Sequence, residues 1–317
     1  MILLTGSTGF IGGAVSRHLI SEMIAFKSIS QHEKEIIESE KMHYAFQIDD
    51  KTKWFEALSD VHVVVHAAGR AHSMKSISNE LLDEYKAINV EGTLNLARHC
   101  AANGVKRFIF ISTINVDGAF VVQPFTVGDG PAPVDIFSQF KWEAEKGLYE
   151  IQQATEMEII IIRCPLVYGP NAPGNFASLV SLVRKKIPLP LGSVNNKRSL
   201  IALENLVAFI LLCTDYKNTP QAANQTFAVS DGEDVSTAEL FKRVAKAYGK
   251  KSCLFPFPVW LLHFGAKVLG KKELADRLLG SLQVDSSKAR NLLGWMPVIT
   301  MDEQLRKMAD AEGYVDC

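Results

Sequence analysis

The chain begins Met1-Ile-Leu-Leu-Thr5-Gly6-Ser7-Thr8-Gly9-Phe10-Ile11-Gly12-Gly13, and the reading of this run governs everything after it. The apolar residues and the threonine predict a strand, the glycines a turn, and the apolar positions beyond them a helix start. Glycines at GxxGxxG spacing allow a tight turn, a close backbone approach to a pyrophosphate, and tight packing of helix on strand. The first amides of the helix supply donors to phosphate oxygens. Gly6, Thr8, Gly9, Phe10, Ile11 and Gly12 are therefore the candidate contacts to a dinucleotide.

The rhythm continues along the first half. Strands are expected at residues 1–5, 24–29, 44–48, 62–66, 107–112 and 158–163. Several are almost continuously apolar (VVVHAA, FIFIS, EIIIIR), the pattern of a sheet covered on both faces. Helical patterns lie between them. The clearest runs from 79 to 102 and stops at Asn103-Gly104, a suitable left-handed cap. Alternation of this kind means right-handed crossovers and a parallel sheet. The expected fold is α/β: a Rossmann-like doubly wound parallel sheet with a smaller, mostly helical substrate-binding lobe. Residues 1–168, rejoined by 198–230, form the cofactor domain in this reading, and 169–197 with 231–317 form the lobe.

With 34 Lys+Arg against 35 Asp+Glu over 317 residues, the chain offers no basic surplus for nucleic acid. The short clusters Arg184-Lys185-Lys186, Lys250-Lys251 and Lys271-Lys272 read as solvated faces. Cys100, Cys164, Cys213, Cys253 and Cys317 are odd in number and widely spaced, which argues for a reducing compartment without a disulfide framework. The N-terminus lacks the basic start of a signal peptide. The apolar stretch 200–213 falls short of a membrane span. A soluble cytoplasmic protein is expected. The histidines show no metal-ligand spacing, and His66 and His72 read as cofactor-edge packing, so no metal is expected. The apolar run 255–262 is weighed as a membrane or partner patch but reads better as a core or lobe seam.

The glycine run with its preceding TG, the HAAG at 66–69, and the INVEGT around Asn89 together resemble the extended branch of the short-chain dehydrogenase/reductase superfamily, the NAD-dependent epimerases and dehydratases. The resemblance implies that Ala67, Ala68 and Gly69 line the cofactor and that Asn89 lies beside it. Ile48 stands in the stretch that meets adenine, though Gln47 replaces the family's usual aspartate. Pro165 and Val167 belong to an RCPLVYGP segment, which the family places under the nicotinamide. NAD and NADP both stay open. The end of the second strand carries no carboxylate for a ribose 2′-hydroxyl, while Lys27, His32 or Lys34 could meet a 2′-phosphate.

The family's catalytic set is Ser/Thr, Tyr and Lys. Lysine at i+4 from tyrosine shares its helix face and lowers the phenol's pKa. Thr113 and Lys141 match the first and last members, but the tyrosine position is Phe137. Phenylalanine keeps the ring and loses the hydroxyl, so packing survives and the proton relay goes. The favoured reading is an engineered inactivating replacement that holds substrate. A natural enzyme using Thr113 or water, and a non-catalytic binding protein, are the alternatives. Tyr149 and Tyr168 do not stand in for the missing group.

The second lobe resembles that of nucleotide-sugar enzymes. The resemblance places Asn175, Leu189 and Leu191 at the nucleotide, with Arg198, and more weakly Arg277, on the diphosphate, where bidentate guanidinium contacts suit phosphate oxygens. It extends to Leu293-Gly294-Trp295-Met296-Pro297. IPLPLG, SLIALENL and HAAGRAH point to a bacterial subgroup of UDP-sugar 4-epimerases and UDP-4-keto-6-deoxy-N-acetylhexosamine reductases of surface-polysaccharide synthesis. The expected activity is 4-keto reduction of a UDP-6-deoxy-N-acetylhexosamine. The alternatives are 4-epimerisation with retained NAD, or binding without chemistry. The partner is a UDP-sugar, and a homodimer through the helices at 79–102 and 139–152 is expected from the family.

Overall fold

The computed structural model describes residues 1–31, 42–70, 79–118 and 130–314. The chain starts β1 (Ile2–Thr5), α1 (Phe10–Ser21), β2 (Phe26–Ser30), β3 (His43–Ala45), α2 (Phe55–Leu58) and β4 (Val63–His66). Next come α3 (Asn79–Lys86), a π-helical segment (Ala87–Gly92), α4 (Thr93–Ala102), β5 (Arg107–Thr113), α5 (Ile136–Ala154) and β6 (Glu158–Cys164). The middle holds β7 (Leu166–Tyr168), α6 (Gly174–Arg184), β8 (Arg198–Ala202), α7 (Leu203–Thr214), β9 (Thr226–Ala228) and β10 (Asp234–Val235). The tail is helical: α8 (Thr237–Ala247), α9 (Val259–Val268), α10 (Lys272–Leu279), α11 (Ser287–Leu293) and α12 (Met301–Ala311).

The described strands form a parallel seven-stranded sheet in the order β3-β2-β1-β4-β5-β6-β9, the doubly wound arrangement the sequence predicts. Its strands divide their residues between two cores by simple alternation. Leu4, Val63, Val65, Ile109, Ile111, Ile160 and Ile162 face one side, where Phe209 of α7 and Val15 of α1 cover them. Leu3, Val64, Phe108, Phe110, Ile159 and Ile161 face the other, under α4 and α5. This is why the runs look continuously apolar in sequence. A smaller sheet, β10-β8-β7, lies with α6, α8 and α12 in a third core built around Tyr168, Phe176, Phe241 and Leu305. Phe10 packs against both the first core and this one.

Three expectations change. Residues 79–102 form two α-helices separated by the π-helical segment, because buried Asn89 and Gly92 answer to neighbours rather than to helix regularity. A Cβ on Gly92 would lie 2.9 Å from Ile48 Cγ2. The second strand starts at Phe26, since Ile24 N donates to Leu19 O and closes the end of α1. The apolar run at 255–262 is neither core nor seam throughout: Trp260 is exposed. No helix among the described residues is long and apolar enough to cross a membrane.

Candidate active site

Strand order reverses between β1 and β4, and the crevice outside their carboxyl ends is where open α/β sheets bind ligands. The opening turn is built to bring backbones together there. Gly6 has φ +69°, and a Cβ on it would sit 2.8 Å from the backbone N and Cα of Ala68. A Cβ on Gly12 would run into the Gly6 carbonyl. Gly9 caps α1 without a side-chain hydrogen bond, which leaves the helix-start amides for a ligand. Thr8 is exposed, and Phe10 and Ile11 are half-buried beside the turn. The cradle fits the pyrophosphate of a dinucleotide.

A second convergence lies just beyond. A Cβ on Gly69 would sit 3.1 Å from Asn89 Oδ1 and 3.6 Å from Lys141 Nζ, so a glycine keeps this space open. Asn89 is held by the Arg70 backbone: its Oδ1 accepts from the amide at 2.9 Å and its Nδ2 donates to the carbonyl at 3.1 Å. π-Helical turns of this kind recur at functional sites. Lys141 Nζ donates to Ile111 O at 2.8 Å and lies 4.3 Å from the centroid of Phe110. Burial pulls its pKa down to about 8, against the raising effect of Cys164 and Glu145. Thr113 closes β5 two residues beyond that carbonyl. Phe137 is half-buried in the first turn of α5, its ring centroid 5.9 Å from the same Nζ. The start of α5 is fixed by Asp135, whose carboxylate accepts from Ser138 N at 2.8 Å in a capping box. Tyr149 and Tyr168 are engaged elsewhere, on Thr226 at 2.9 Å and Asp231 at 2.7 Å.

Two networks under the site were not read from the sequence. Ser112 Oγ donates to Glu145 Oε1 at 2.5 Å, and Arg163 joins Glu145 to Asp117 through buried ion pairs. Glu145 lies at i+4 from Lys141, a spacing that could have signalled the shared face. The second network is directional. Thr93 Oγ1 spends its proton on Asn89 O at 2.9 Å, so it accepts from His66 Nε2 at 2.9 Å. His66 Nδ1 then accepts from Thr5 Oγ1 at 2.7 Å. This chain needs a neutral imidazole. Burial, with Lys141 adding to it, pulls the His66 pKa down to about 3.

The expected nucleotide contacts have neighbours of their own. Asn175 is exposed near the start of α6, and Leu191 is buried in the third core. Leu189 exchanges backbone bonds with Cys253 and Phe255, both at 3.0 Å. Arg198 Nη1 donates to the backbone carbonyl of Arg277, and the Arg277 side chain is exposed. Ile48 is buried against Gly92, Pro165 directly follows β6, and Val167 lies in β7 paired with Ile201. Lys27 is no phosphate ligand, because its ammonium reaches the opposite end of the sheet, donating to Ser59 O at 2.7 Å and Glu56 O at 3.2 Å. His32, Lys34 and His72 lie outside the described residues.

Fold and turn define a dinucleotide-binding α/β protein with the lysine of a short-chain dehydrogenase/reductase. Residues 2–226 match the NAD dependent epimerase/dehydratase family. The chain belongs to that family, whose cofactor is NAD. A UDP-glucose 4-epimerase of Vibrio cholerae is 43% identical over 323 residues, covering 98% of this chain and 94% of that protein. The N-acetyl-α-D-glucosaminyl-diphospho-ditrans,octacis-undecaprenol 4-epimerase of Escherichia coli O157:H7 is 27% identical, covering 98% of this chain and 95% of that one. The structure of a Thermotoga maritima UDP-glucose 4-epimerase with UDP-glucose superposes with a TM-score of 0.77 at 22% identity, covering 98% of each chain, a likeness of fold.

Proposed function

We propose that this chain binds NAD and a UDP-linked hexose or N-acetylhexosamine, and that its site is organised for oxidation and reduction at C4 of the sugar, in the manner of a 4-epimerase. The Vibrio cholerae relative, similar over nearly the whole chain, supports the epimerase form. Bound NAD supplies the group that takes up and returns hydride. Gly6, Gly9 and Gly12 would hold its pyrophosphate on backbone amides, with Ile48, Ala67, Ala68, Gly69, Asn89, Pro165 and Val167 around the rest. Lys141 would hold a ribose hydroxyl and place a positive charge beside the first turn of α5. Thr113 would donate to the sugar oxygen, and Asn175, Leu189, Leu191, Arg198 and Arg277 would meet the nucleotide. In this reading 1–168 with 198–230 is the cofactor unit, and 169–197 with 231–317 the nucleotide-sugar unit.

The observation that carries the proposal is the space between Gly69, Asn89 and Lys141, with the Phe137 ring one helical turn from the lysine. A phenol at position 137 would move a proton at the sugar oxygen, and phenylalanine cannot. The chain as it stands therefore binds both ligands with little or no turnover. The UDP-4-keto-6-deoxy-N-acetylhexosamine reductase reading is kept by the IPLPLG and SLIALENL resemblance. One experiment separates them: the NAD content of purified Phe137→Tyr protein, and its UDP-sugar products by NMR. Retained stoichiometric NAD with C4 inversion and no added cofactor supports the epimerase. Consumption of added NADH or NADPH by a 4-keto-sugar supports the reductase and overturns it.

A further inference from the structure

Helix α9 is apolar on two opposite faces, and the fold uses one. Val259, Leu262 and Ala266, spaced three and four residues apart, pack against the third core. On the other side Trp260 is 68% exposed, Phe264 62% and Val268 70%, and Leu269, which caps the helix, is 72% exposed. Leu274 of α10 is a further exposed apolar side chain. Charge around this ridge leans basic: between residues 250 and 277 stand five lysines and Arg277 against Glu273 and Asp276, in a chain of net charge −1. Lys251, Lys267, Lys271 and Lys272 are exposed.

We propose that the outer face of α9 binds an anionic lipid surface. A helix of ten residues is about 15 Å long and cannot span a bilayer, so it would lie in the interface with Trp260 and Phe264 among the acyl boundary. The lysines would meet anionic headgroups, each adding affinity that salt screens. A second copy of the chain is a poorer occupant. Two-fold pairing of this face would bring the lysines of both copies into one interface. The strand-like segment before α9 bonds to the loop at Leu189 and Gly192, through Leu189 N to Cys253 O and Gly192 N to Phe255 O, each 3.0 Å. The lipid-binding face is thus anchored to the folded lobe.

Flotation of the full chain with phosphatidylcholine vesicles, with and without phosphatidylglycerol, tests this. Binding is expected to the anionic vesicles and to weaken at high salt. The double variant Trp260→Ser/Phe264→Ser and the triple variant Lys267→Gln/Lys271→Gln/Lys272→Gln should each lose at least about tenfold in partitioning. All these side chains are exposed, so thermal unfolding and NAD binding should be unchanged, and neither ligand is needed for the vesicle assay. No flotation on anionic vesicles, or flotation unchanged in both variants, overturns the proposal. So does loss of a dimer in the Trp260→Ser/Phe264→Ser protein without vesicle binding, which would give the face to a second copy.

Discussion

His66 shows how far one side chain's chemistry is fixed by its neighbours. Its two ring nitrogens are committed to Thr5 and Thr93, it stacks on Phe110 at 5.9 Å, and Lys141 disfavours a second positive charge. With the folded pKa near 3 against 6.5 unfolded, the unfolded chain binds more protons between those values. Stability from this group is complete above about pH 6.5 and is lost as pH falls toward 3. Urea unfolding should therefore lose on the order of 1.4 kcal/mol per pH unit within that window from this group. The His66→Gln protein should show a shallower dependence, and an equal slope would remove His66 as the source. Phe137 matters in the proposed function by what it lacks: the ring stays beside Lys141, without the hydroxyl that the proposal gives to proton transfer.

At the level of elements, the parallel strands were legible because alternation along a doubly covered strand leaves an unbroken apolar run. The π-helical turn was not. Its cause is tertiary, in Asn89 gripping the Arg70 backbone and Gly92 yielding to Ile48, and neither contact leaves a local pattern. Asn89→Ala removes two hydrogen bonds and leaves the Arg70 amide and carbonyl short of partners. A cost of about 2 kcal/mol in thermal unfolding is expected, with at least a tenfold weaker NAD titration. An unchanged affinity would separate the turn from the cofactor site. The glycine turn could be read because its strand–glycine–helix pattern is local, though Gly6 also yields to the distant Ala68 backbone. The Glu145–Arg163–Asp117 cluster could not, since its members are 18 and 46 residues apart in sequence. Helix α9 misled for another reason: apolar composition signals burial, and only one of its two apolar faces packs, half-buried, against the third core.

Across the whole molecule, Asn205 ties the C-terminal tail to α7 and the small sheet. It is fully buried; its Oδ1 accepts from Val298 N at 2.7 Å and Ile299 N at 3.0 Å, and its Nδ2 donates to Asp231 Oδ1 at 2.7 Å. The same Asp231 receives Tyr168, so the ALENL and VYGP motifs meet at one carboxylate. Asn205→Ala strands several buried polar groups and should cost about 3 kcal/mol in denaturant unfolding. A loss under about 1 kcal/mol would mean that the tail docks without it. On the proposed function, the chemistry turns on the hydroxyl absent at position 137. Steady-state turnover of a UDP-hexose or UDP-N-acetylhexosamine by the parent chain and by Phe137→Tyr, side by side, measures that directly. The site described here requires the substitution to raise kcat by on the order of 10³-fold, the usual worth of a positioned acid–base group. Equal rates in the two proteins, whether both active or both inert across those substrates, would contradict it.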